Sequence, residues 1–189
     1  MRKKSSKDWN WDGGRLSLDF INTVRDRKTG DRELLVDPAD LAEWLVQTKL
    51  LDAEPDVSMR QLARAQALRE AIDRLAVGFG GGNIEAADVD LLNECARVRP
   101  SAPELILGRG GSLEVRSARE KDPVGVALGK IAVDAIELLT APRGMFRICA
   151  ADDCGLRFED RSPSRNRQWC SMKVCGNREK ARLHYQRQK

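Results

Sequence analysis

The stretch CAADDCGLRFEDRSPSRNRQWCSMKVCG, residues 149–176, contains four of the five cysteines of this 189-residue chain. Cys149 and Cys154 form one C-x4-C pair, and Cys170 and Cys175 form a second pair after fifteen intervening residues. Each pair can present two thiolates, and a short hairpin can bring both pairs onto one tetrahedral metal ion. Zinc accepts four sulfur ligands at about 2.3 Å and imposes no geometry of its own. The spacing therefore predicts one structural Zn²⁺ held by these four cysteines.

Three other uses of the cysteines have to be weighed. Disulfides suit exported proteins, but Asp19 and Asn22 interrupt the only apolar stretch near the start, Leu16 to Val24, so we expect no secretory leader and a cytoplasmic protein. An iron–sulfur cluster also uses four cysteines, but the strongly charged surroundings favour a closed zinc site. A zinc thiolate that releases its metal on oxidation stays open, although the spacing does not demand it.

Charge is distributed unevenly along the chain. Residues 143–189 contain 12 Lys and Arg against 5 Asp and Glu, a net charge of +7, whereas residues 1–142 carry −3. Four thiolates and one Zn²⁺ would leave about +5 on the C-terminal part, which still attracts a polyanion. DNA is therefore the predicted partner.

The best apolar run, residues 124–139, is shorter than the roughly 20 residues that cross a membrane, and charged residues interrupt it. We therefore expect no membrane partner.

Apolar residues recur at helical spacing through most of the first 140 residues. Val24 and Val89 are expected to face the core with the other apolar residues of their helices. Residues 104–117 differ, because two short apolar runs flank a glycine-rich turn and predict a β-hairpin. The expected helices span Leu16–Val24, a short stretch after Asp37-Pro38, Ser58–Val77, a stretch from Glu85 to Ala96, and a stretch after Asp122-Pro123.

These patterns predict a mainly α protein with a small β-hairpin. We place a helical domain at residues 1–142, with a disordered tail at Met1–Lys7, and a four-cysteine zinc-finger module at residues 143–189. The module is expected to contain a treble-clef-like or zinc-ribbon-like hairpin followed by a terminal helix. Phe158, between the cysteine pairs, is expected to cover the metal site.

The terminal helix is predicted to begin after Gly176 and to present basic residues on two faces. Leu183 is the only large aliphatic residue after Cys175, so most of this helix cannot be buried. The basic residues could instead merely solubilise a small module, as charge runs commonly do. The predicted nucleic-acid contacts are Arg161, Arg165, Arg167, Lys173, Asn177, Arg178, Lys180, Arg182, His184 and Arg187.

A polar cluster on the otherwise apolar first helix is a candidate ligand pocket. Asp and Asn beside a core more often cap a helix or satisfy buried backbone groups, and we favour that structural role. The candidate pocket residues are Asp19, Asn22, Thr23, Arg25 and Trp44. Catalysis has little support, because the only histidine, His184, lies in the basic tail without a nucleophile and a base around it. We expect a protein that is not an enzyme.

The segment WCSMKVCGNREK, residues 169–180, resembles the CGNR-type zinc finger of bacterial proteins, which is named for its Cys-Gly-Asn-Arg motif. LSLDFINT, residues 16–23, is similar to the opening of the ABATE domain, the helical partner usually joined to that finger. The two resemblances cover nearly the whole chain. The chain departs from the family pattern at Gln168, where a basic residue is frequent, and at Ser17, where Cys is common.

This resemblance implies a stress-induced transcription regulator with an N-terminal sensing domain and a C-terminal DNA-binding finger. Metal ligation carries over to the same four cysteines, at positions 149, 154, 170 and 175. A small-molecule ligand of the helical domain stays open, and a homodimer is a further expectation because many DNA readers dimerise. The alternatives are an RNA-binding or protein-interaction module and a redox-sensing zinc thiolate protein.

Overall fold

The computed structural model describes residues 8–79, 81–116, 120–141 and 145–187. Over these residues the chain forms six α-helices and three two-stranded antiparallel hairpins, which confirms the mainly helical fold with a small hairpin. The helices are α1 (Leu16–Ile21), α2 (Pro38–Gln47), α3 (Met59–Gly78), α4 (Ala86–Ala96), α5 (Pro123–Thr140) and α6 (Asn177–Arg187). The strands are β1 (Val24–Arg25), β2 (Arg32–Glu33), β3 (Glu104–Leu107), β4 (Leu113–Arg116), β5 (Phe146–Ile148) and β6 (Arg157–Glu159).

Two predictions fall outside the described residues. They are the tail at Met1–Lys7 and the domain boundary between residues 142 and 143. A search of the described helices for one long and apolar enough to span a membrane finds none.

Capping residues start the helices of the first part. Asp37 and Asp40 each accept the other's backbone N–H at the start of α2, and Pro38 occupies the first helical position. Ser58 and Gln61 form the same reciprocal pair at the start of α3. Since these side chains satisfy N–H groups that have no partner within the helix, the local sequence fixes where both helices begin.

Helices α3 and α5 are the two largest contributors to the apolar core, and α1 packs against both. Trp44 of α2 is fully buried, with its ring 5.1 Å from the ring of Phe20. The buried stripes are Leu62, Ala65, Leu68, Ile72 and Leu75 on α3, and Ala127, Ile131, Ala135 and Leu138 on α5. These are positions that the helical periodicity predicted.

Val24 does not continue the first helix. Helix α1 ends at Ile21, and the Thr23 hydroxyl donates to the Phe20 carbonyl, which closes the last turn. The Thr23 carbonyl then accepts the N–H of Leu34, and Val24 pairs with Glu33 in the β1–β2 hairpin. The helix therefore stops three residues earlier than predicted, because this return strand takes up the backbone groups that follow it.

Val89 is 37% exposed, which contradicts the expectation that it faces the core. Asp88 occupies the neighbouring inward position of α4, where its two carboxylate oxygens accept hydrogen bonds from Arg74 at 2.6 and 2.8 Å. The ion pair with α3 sets the rotation of α4, while Leu92 and Cys95 remain buried as predicted. A buried carboxylate with a guanidinium partner thus overrides the apolar pattern at this turn.

The C-terminal hairpin lies against the helical part through polar contacts. The carboxamide of Asn22 donates to the Arg157 carbonyl and accepts the Arg157 N–H, both at 2.9 Å, as a neighbouring strand would. The guanidinium of Arg157 forms two hydrogen bonds to Asp73 of α3, at 2.7 and 2.8 Å. The N–H of Glu159 donates to the Gly13 carbonyl. Strand β6 is therefore held by backbone pairing and by a nearly buried ion pair.

Replacing Asp73 tests the second of these contacts. Asp73→Ala leaves the Arg157 guanidinium nearly buried without its partner, and breaking a buried pair in this way costs about 3–5 kcal/mol. We expect chemical denaturation to show a loss of that order for Asp73→Ala and a smaller loss for Asp73→Asn, which keeps an acceptor oxygen. Adding Arg157→Met to Asp73→Ala should recover part of the loss. A stability within about 0.5 kcal/mol of the wild type for Asp73→Ala would contradict this role.

Candidate metal centre

The four predicted ligand cysteines meet in one buried cluster. Their sulfur atoms all lie within 4.8 Å of one another, with Cys154 Sγ 3.8 Å and Cys175 Sγ 3.6 Å from Cys170 Sγ. A tetrahedral site with bonds of about 2.3 Å separates its sulfur ligands by about 3.8 Å. The donor set, its spacing and its burial therefore fit one structural zinc ion, bound by Cys149 and the other three.

Two different local structures present the two pairs. Cys149 follows β5, and its N–H donates to the Leu156 carbonyl across the turn that carries Cys154. Cys175 lies in a π-helical turn, Met172–Gly176, that leads directly into α6. The second pair thus stands at the start of the terminal helix, as in a treble clef. Metal binding therefore joins the β5–β6 hairpin to the first turn of α6.

Gly155 is required at the end of the first turn. Its φ of +74° lies in the left-handed region, and a Cβ there would come within 3.1 Å of Lys28 Cγ. A larger residue would be strained in its own backbone and would also push Lys28 away. The close approach of the helical part to this turn therefore depends on glycine.

The metal-free cluster resists complete ionisation. Burial raises the pKa of Cys175 to about 12, and hydrogen bonds with Cys149 and Cys154 raise the pKa of Cys170. Hydrogen bonds from Cys154 and Cys170 in turn lower the pKa of Cys149. Four adjacent thiolates need a divalent cation to balance their charge, so metal uptake must release protons from the cluster.

Further donors surround the sulfur cluster. Lys28, which lies 121 residues before Cys149, donates from Nζ to the Cys149 carbonyl at 2.7 Å and to the Ala151 carbonyl at 3.0 Å. Arg178 Nη2 lies 3.5 Å from Cys175 Sγ. Both cations lower the energy of a site whose four thiolates and Zn²⁺ sum to −2. The sequence gives no signal for Lys28, because only the tertiary fold brings it to the turn.

Phe158 is fully buried against the cysteines. Arg167, one of the predicted nucleic-acid contacts, packs against its ring. The guanidinium of Arg167 lies 4.7 Å from the centre of the Phe158 ring. Arg167 Nε donates to the Trp169 carbonyl at 2.8 Å, and Nη2 donates to the Cys170 carbonyl. The structure therefore places Arg167 within the finger, where it orders the chain that leads into the second cysteine pair.

Three more of the predicted contacts are engaged in ion pairs within the module. An exposed guanidinium in such a pair still presents N–H groups to solvent, but its charge is already compensated. The pairs are Arg161 with Glu159 at 2.5 Å, Arg178 with Asp153 at 2.6 Å, and Arg182 with Glu179 at 2.8 Å and Asp152 at 3.4 Å.

The other predicted contacts lie on the surface of the module. Arg165, Lys173 and Lys180 are exposed, and none has an ion pair with another described residue. Asn177 donates to the Lys173 carbonyl at 3.3 Å, and the His184 ring meets the Tyr185 ring edge-on. The side chain of Arg187 lies outside the described part of the structure. At 100° per residue, Asn177, Lys180 and His184 share one face of α6, and Arg178 and Arg182 share another.

Three of the five candidate pocket residues are buried in structural contacts. Asn22 pairs with the backbone of Arg157, and the Thr23 hydroxyl accepts a hydrogen bond from buried Arg69 at 3.1 Å. Trp44 belongs to the core. Their polar groups therefore serve the fold, which is the use of Asp and Asn beside a core that the sequence analysis favoured.

The other two pocket residues border different cavities. Asp19 lines an open cavity of about 310 Å³ beside Trp11, and its Oδ1 accepts the Gly13 N–H at 2.9 Å. Arg25 lines a crevice of about 190 Å³ that also borders three of the ligand cysteines, Cys154, Cys170 and Cys175. A small-molecule ligand of the helical part stays a prediction. The cavity beside Asp19 and the crevice beside Arg25 are two separate places for it.

Asp19 gives a pH-dependent prediction. Burial raises its pKa to about 7, and the carboxylates of Asp12 and Asp134 act in the same direction. The native state therefore retains a proton that the unfolded chain releases near pH 4, and stability from this group is lost as the pH rises towards 7. Asp19→Asn keeps an acceptor for Gly13 without the charge. We expect this variant to gain stability relative to the wild type between pH 5 and pH 8 in urea denaturation, and a constant difference would contradict the shift.

Loss of the metal should unfold the finger and weaken the helical part. Zinc ligation contributes on the order of 10 kcal/mol to the folding of small modules, and Lys28 and Asn22 join this module to the first helix and its hairpin. We expect Cys170→Ser to lose bound zinc and to increase hydrogen exchange across α6 and also near Asn22. Cys95→Ser, which changes the buried cysteine outside the cluster, is the matched control and should retain one zinc per chain. Full zinc content in Cys170→Ser would overturn the ligand assignment.

Comparison with known families agrees with this geometry. Residues 14–142 match the ABATE family, described as "Putative stress-induced transcription regulator", and residues 145–188 match the CGNR zinc finger. Both resemblances noted in the sequence are thereby confirmed. A search of curated proteins gives no match. Because the first match alone spans more than half of the residues, the chain belongs to the ABATE family and carries a CGNR zinc finger after that domain.

Proposed function

We propose that this protein is a transcription regulator that binds duplex DNA through α6 and the exposed basic residues beside it. The family description supports the regulatory role, and the zinc finger supports a nucleic-acid partner. A cytoplasmic location and the absence of catalysis are parts of the same proposal. The observation that carries it is the exposure of α6.

Among the described residues, helix α6 packs mainly against the π-helical turn that precedes it. Among its side chains at 177–186, only Glu179 is buried, while Leu183 is 45% and Tyr185 70% exposed. An isolated polar helix of this length is marginal in water, so the zinc site at its first turn is what anchors it. A helix that is held at one end and exposed along its length has the form of an element that enters a groove.

The face with Asn177 and Lys180 is the better candidate for direct contact. Arg178 and Arg182, on the other face, pair with Asp153 and Asp152 of the first cysteine turn, so that face is turned towards the module. Lys180 is exposed and has no ion pair among the described residues, and Lys173 on the preceding turn is similar. A lysine without a partner gains the full Coulomb attraction of a phosphate and releases a counterion when it binds. Phosphate contacts of this kind would position α6, and Asn177 at its start would reach base edges.

One observation favours a second function, a zinc thiolate that responds to oxidants. The crevice of about 190 Å³ borders three of the four ligand cysteines, so a small oxidant can approach the metal site from this side. Hydrogen peroxide would take two electrons from two thiolates and two protons from solvent, giving one disulfide, two water molecules and free Zn²⁺. Zinc release by peroxide at near-stoichiometric ratio supports this function, and retention of zinc under those conditions removes it.

Two variants that each remove one positive charge test the proposed DNA binding. We expect Lys180→Ala to weaken binding to a mixed-sequence duplex and to reduce the slope of log K against log salt by about 0.9, the contribution of one phosphate contact. Lys130→Ala on α5 removes an exposed lysine from the helical part and is the matched control. Fluorescence anisotropy over a salt series measures both. A slope near zero for the wild type, or equal effects of the two variants, would contradict binding through α6.

A further inference from the structure

The β3–β4 hairpin exposes four aliphatic side chains together. Leu105, Leu107, Leu113 and Val115 are 66%, 74%, 70% and 69% exposed. The other exposed large apolar residues of the described chain occur singly, as Val36 does, or in pairs, as Met172 and Val174 do in the π-helical turn. Single exposed aliphatic residues are normal on protein surfaces, whereas a group of four adjacent ones often marks an interaction site.

The four side chains lie on one face of the hairpin. The register pairs Leu105 with Val115 and Leu107 with Leu113, and alternate residues of a strand point to the same side. Ile106 between them points to the opposite side and is only partly exposed. We call the face formed by Leu105, Leu107, Leu113 and Val115 the hairpin face. It is a continuous apolar surface to which each of the two strands contributes two side chains.

The hairpin face is large enough to act as an interface. An aliphatic side chain of this size exposes roughly 150 Å² when free, so four at about 70% present on the order of 400 Å². Patches of about 300–600 Å² are the largest on typical monomers and are often functional. An isolated two-stranded sheet is also marginally stable in water, so covering one face would stabilise the hairpin itself.

The charge of the segment selects the kind of partner. Residues 104–116 contain two acidic residues, Glu104 and Glu114, and two basic residues, Arg109 and Arg116, so the segment is neutral. Nucleic acid and anionic lipid surfaces bind segments with excess positive charge, which this one lacks. Two copies of a neutral surface do not repel each other, whereas an excess of like charge would oppose self-association. Neutrality with an apolar centre therefore fits a second copy of the same surface.

We propose that the hairpin face is a homodimer interface, in which the hairpins of two copies pack face to face about a twofold axis. Packing of two faces about 10 Å apart removes the four side chains of each copy from water. Pairing of two hairpins edge to edge would extend the sheet but leave all eight side chains exposed. The burial of apolar area thus selects the face-to-face arrangement.

The proposed dimer is a weak one. Two hairpin faces bury on the order of 800 Å² in total, and neighbouring turn residues add to this at the rim, which places the interface at the low end of specific interfaces. A dissociation constant of about 1–100 µM is expected for such an area. The dimer would carry two copies of α6, and simultaneous binding of both to one duplex would strengthen each contact through effective concentration.

Sedimentation velocity of the full zinc-loaded chain, without DNA, tests the proposal at about 1–300 µM, which brackets this affinity. We expect the wild type to pass from monomer to dimer over that range. Leu107→Glu and Leu107→Lys should both remain monomeric, since either charge would be buried against the partner. Met59→Glu, at an equally exposed single residue on α3, is the matched control and should dimerise as the wild type does. At a concentration where the wild type is monomeric, circular dichroism should show the same thermal unfolding for the position-107 variants and the control.

Each alternative gives its own result. A wild type that stays monomeric throughout, or position-107 variants that dimerise with wild-type affinity, overturns the proposal. A monomer that sediments with neutral phosphatidylcholine vesicles through Leu107 assigns the hairpin face to lipid instead. A monomer whose duplex affinity falls in Leu107→Glu assigns it to nucleic acid. Because dimerisation is measured without DNA, its failure leaves the proposed DNA binding through α6 standing, and the reverse also holds.

Discussion

Ligation of one divalent ion by four thiolates is the constraint on which the C-terminal quarter of the chain depends. The sulfurs of Cys154, Cys170 and Cys175 are spaced as a tetrahedral zinc site requires, and the surrounding apolar cluster is small. Without a cation, the raised pKa values of Cys170 and Cys175 keep protons on the cluster and leave the two halves of the module without a link. The direction in which α6 leaves the module follows from this one tetrahedral arrangement.

The helical part contributes to the same constraint from outside. Lys28 donates hydrogen bonds to carbonyl groups of the first cysteine turn. The Asn22 carboxamide pairs with the backbone of Arg157 as a neighbouring strand would, and Asp73 neutralises the Arg157 guanidinium. These contacts are polar, directional and largely shielded from water, so they specify one relative position of β6 and α1. They also explain why Asn22 and Thr23, the polar residues after α1, are buried in structural contacts. Their hydrogen-bonding capacity is already used within the fold.

The sequence predicts the local parts of this structure well, because their determinants are local. The capping pairs at Asp37 and Ser58 fix helix starts, the cysteine spacing gives the metal site, and the glycine-rich turn of residues 108–112 gives the hairpin. Val24 is buried as expected, and the errors concern the end of the first helix and the exposure of Val89, where a distant residue decides the outcome. Periodicity cannot show that Leu34 returns to pair near Val24, or that Arg74 holds Asp88 inward.

The same distinction applies to the basic residues of the finger. Only the net charge of the finger can be read from the sequence. The structure shows which of its basic residues have an acidic partner among the described residues and which do not. Arg167 stacks on Phe158 and Arg178 reaches both Asp153 and a ligand sulfur, so neither is simply a surface charge. No spacing rule identifies these partners, because Asp153 is 25 residues from Arg178 along the chain.

The strand-like pairing of Asn22 with Arg157 limits how freely the two halves can be exchanged. A finger transplanted onto a different helical scaffold would keep its zinc and its fold but would lose the amide that completes the outer edge of β6. Chimaeras that swap fingers between relatives would therefore need an asparagine at the equivalent place on the acceptor scaffold. Fusion at the natural junction alone would give two tethered bodies instead of one.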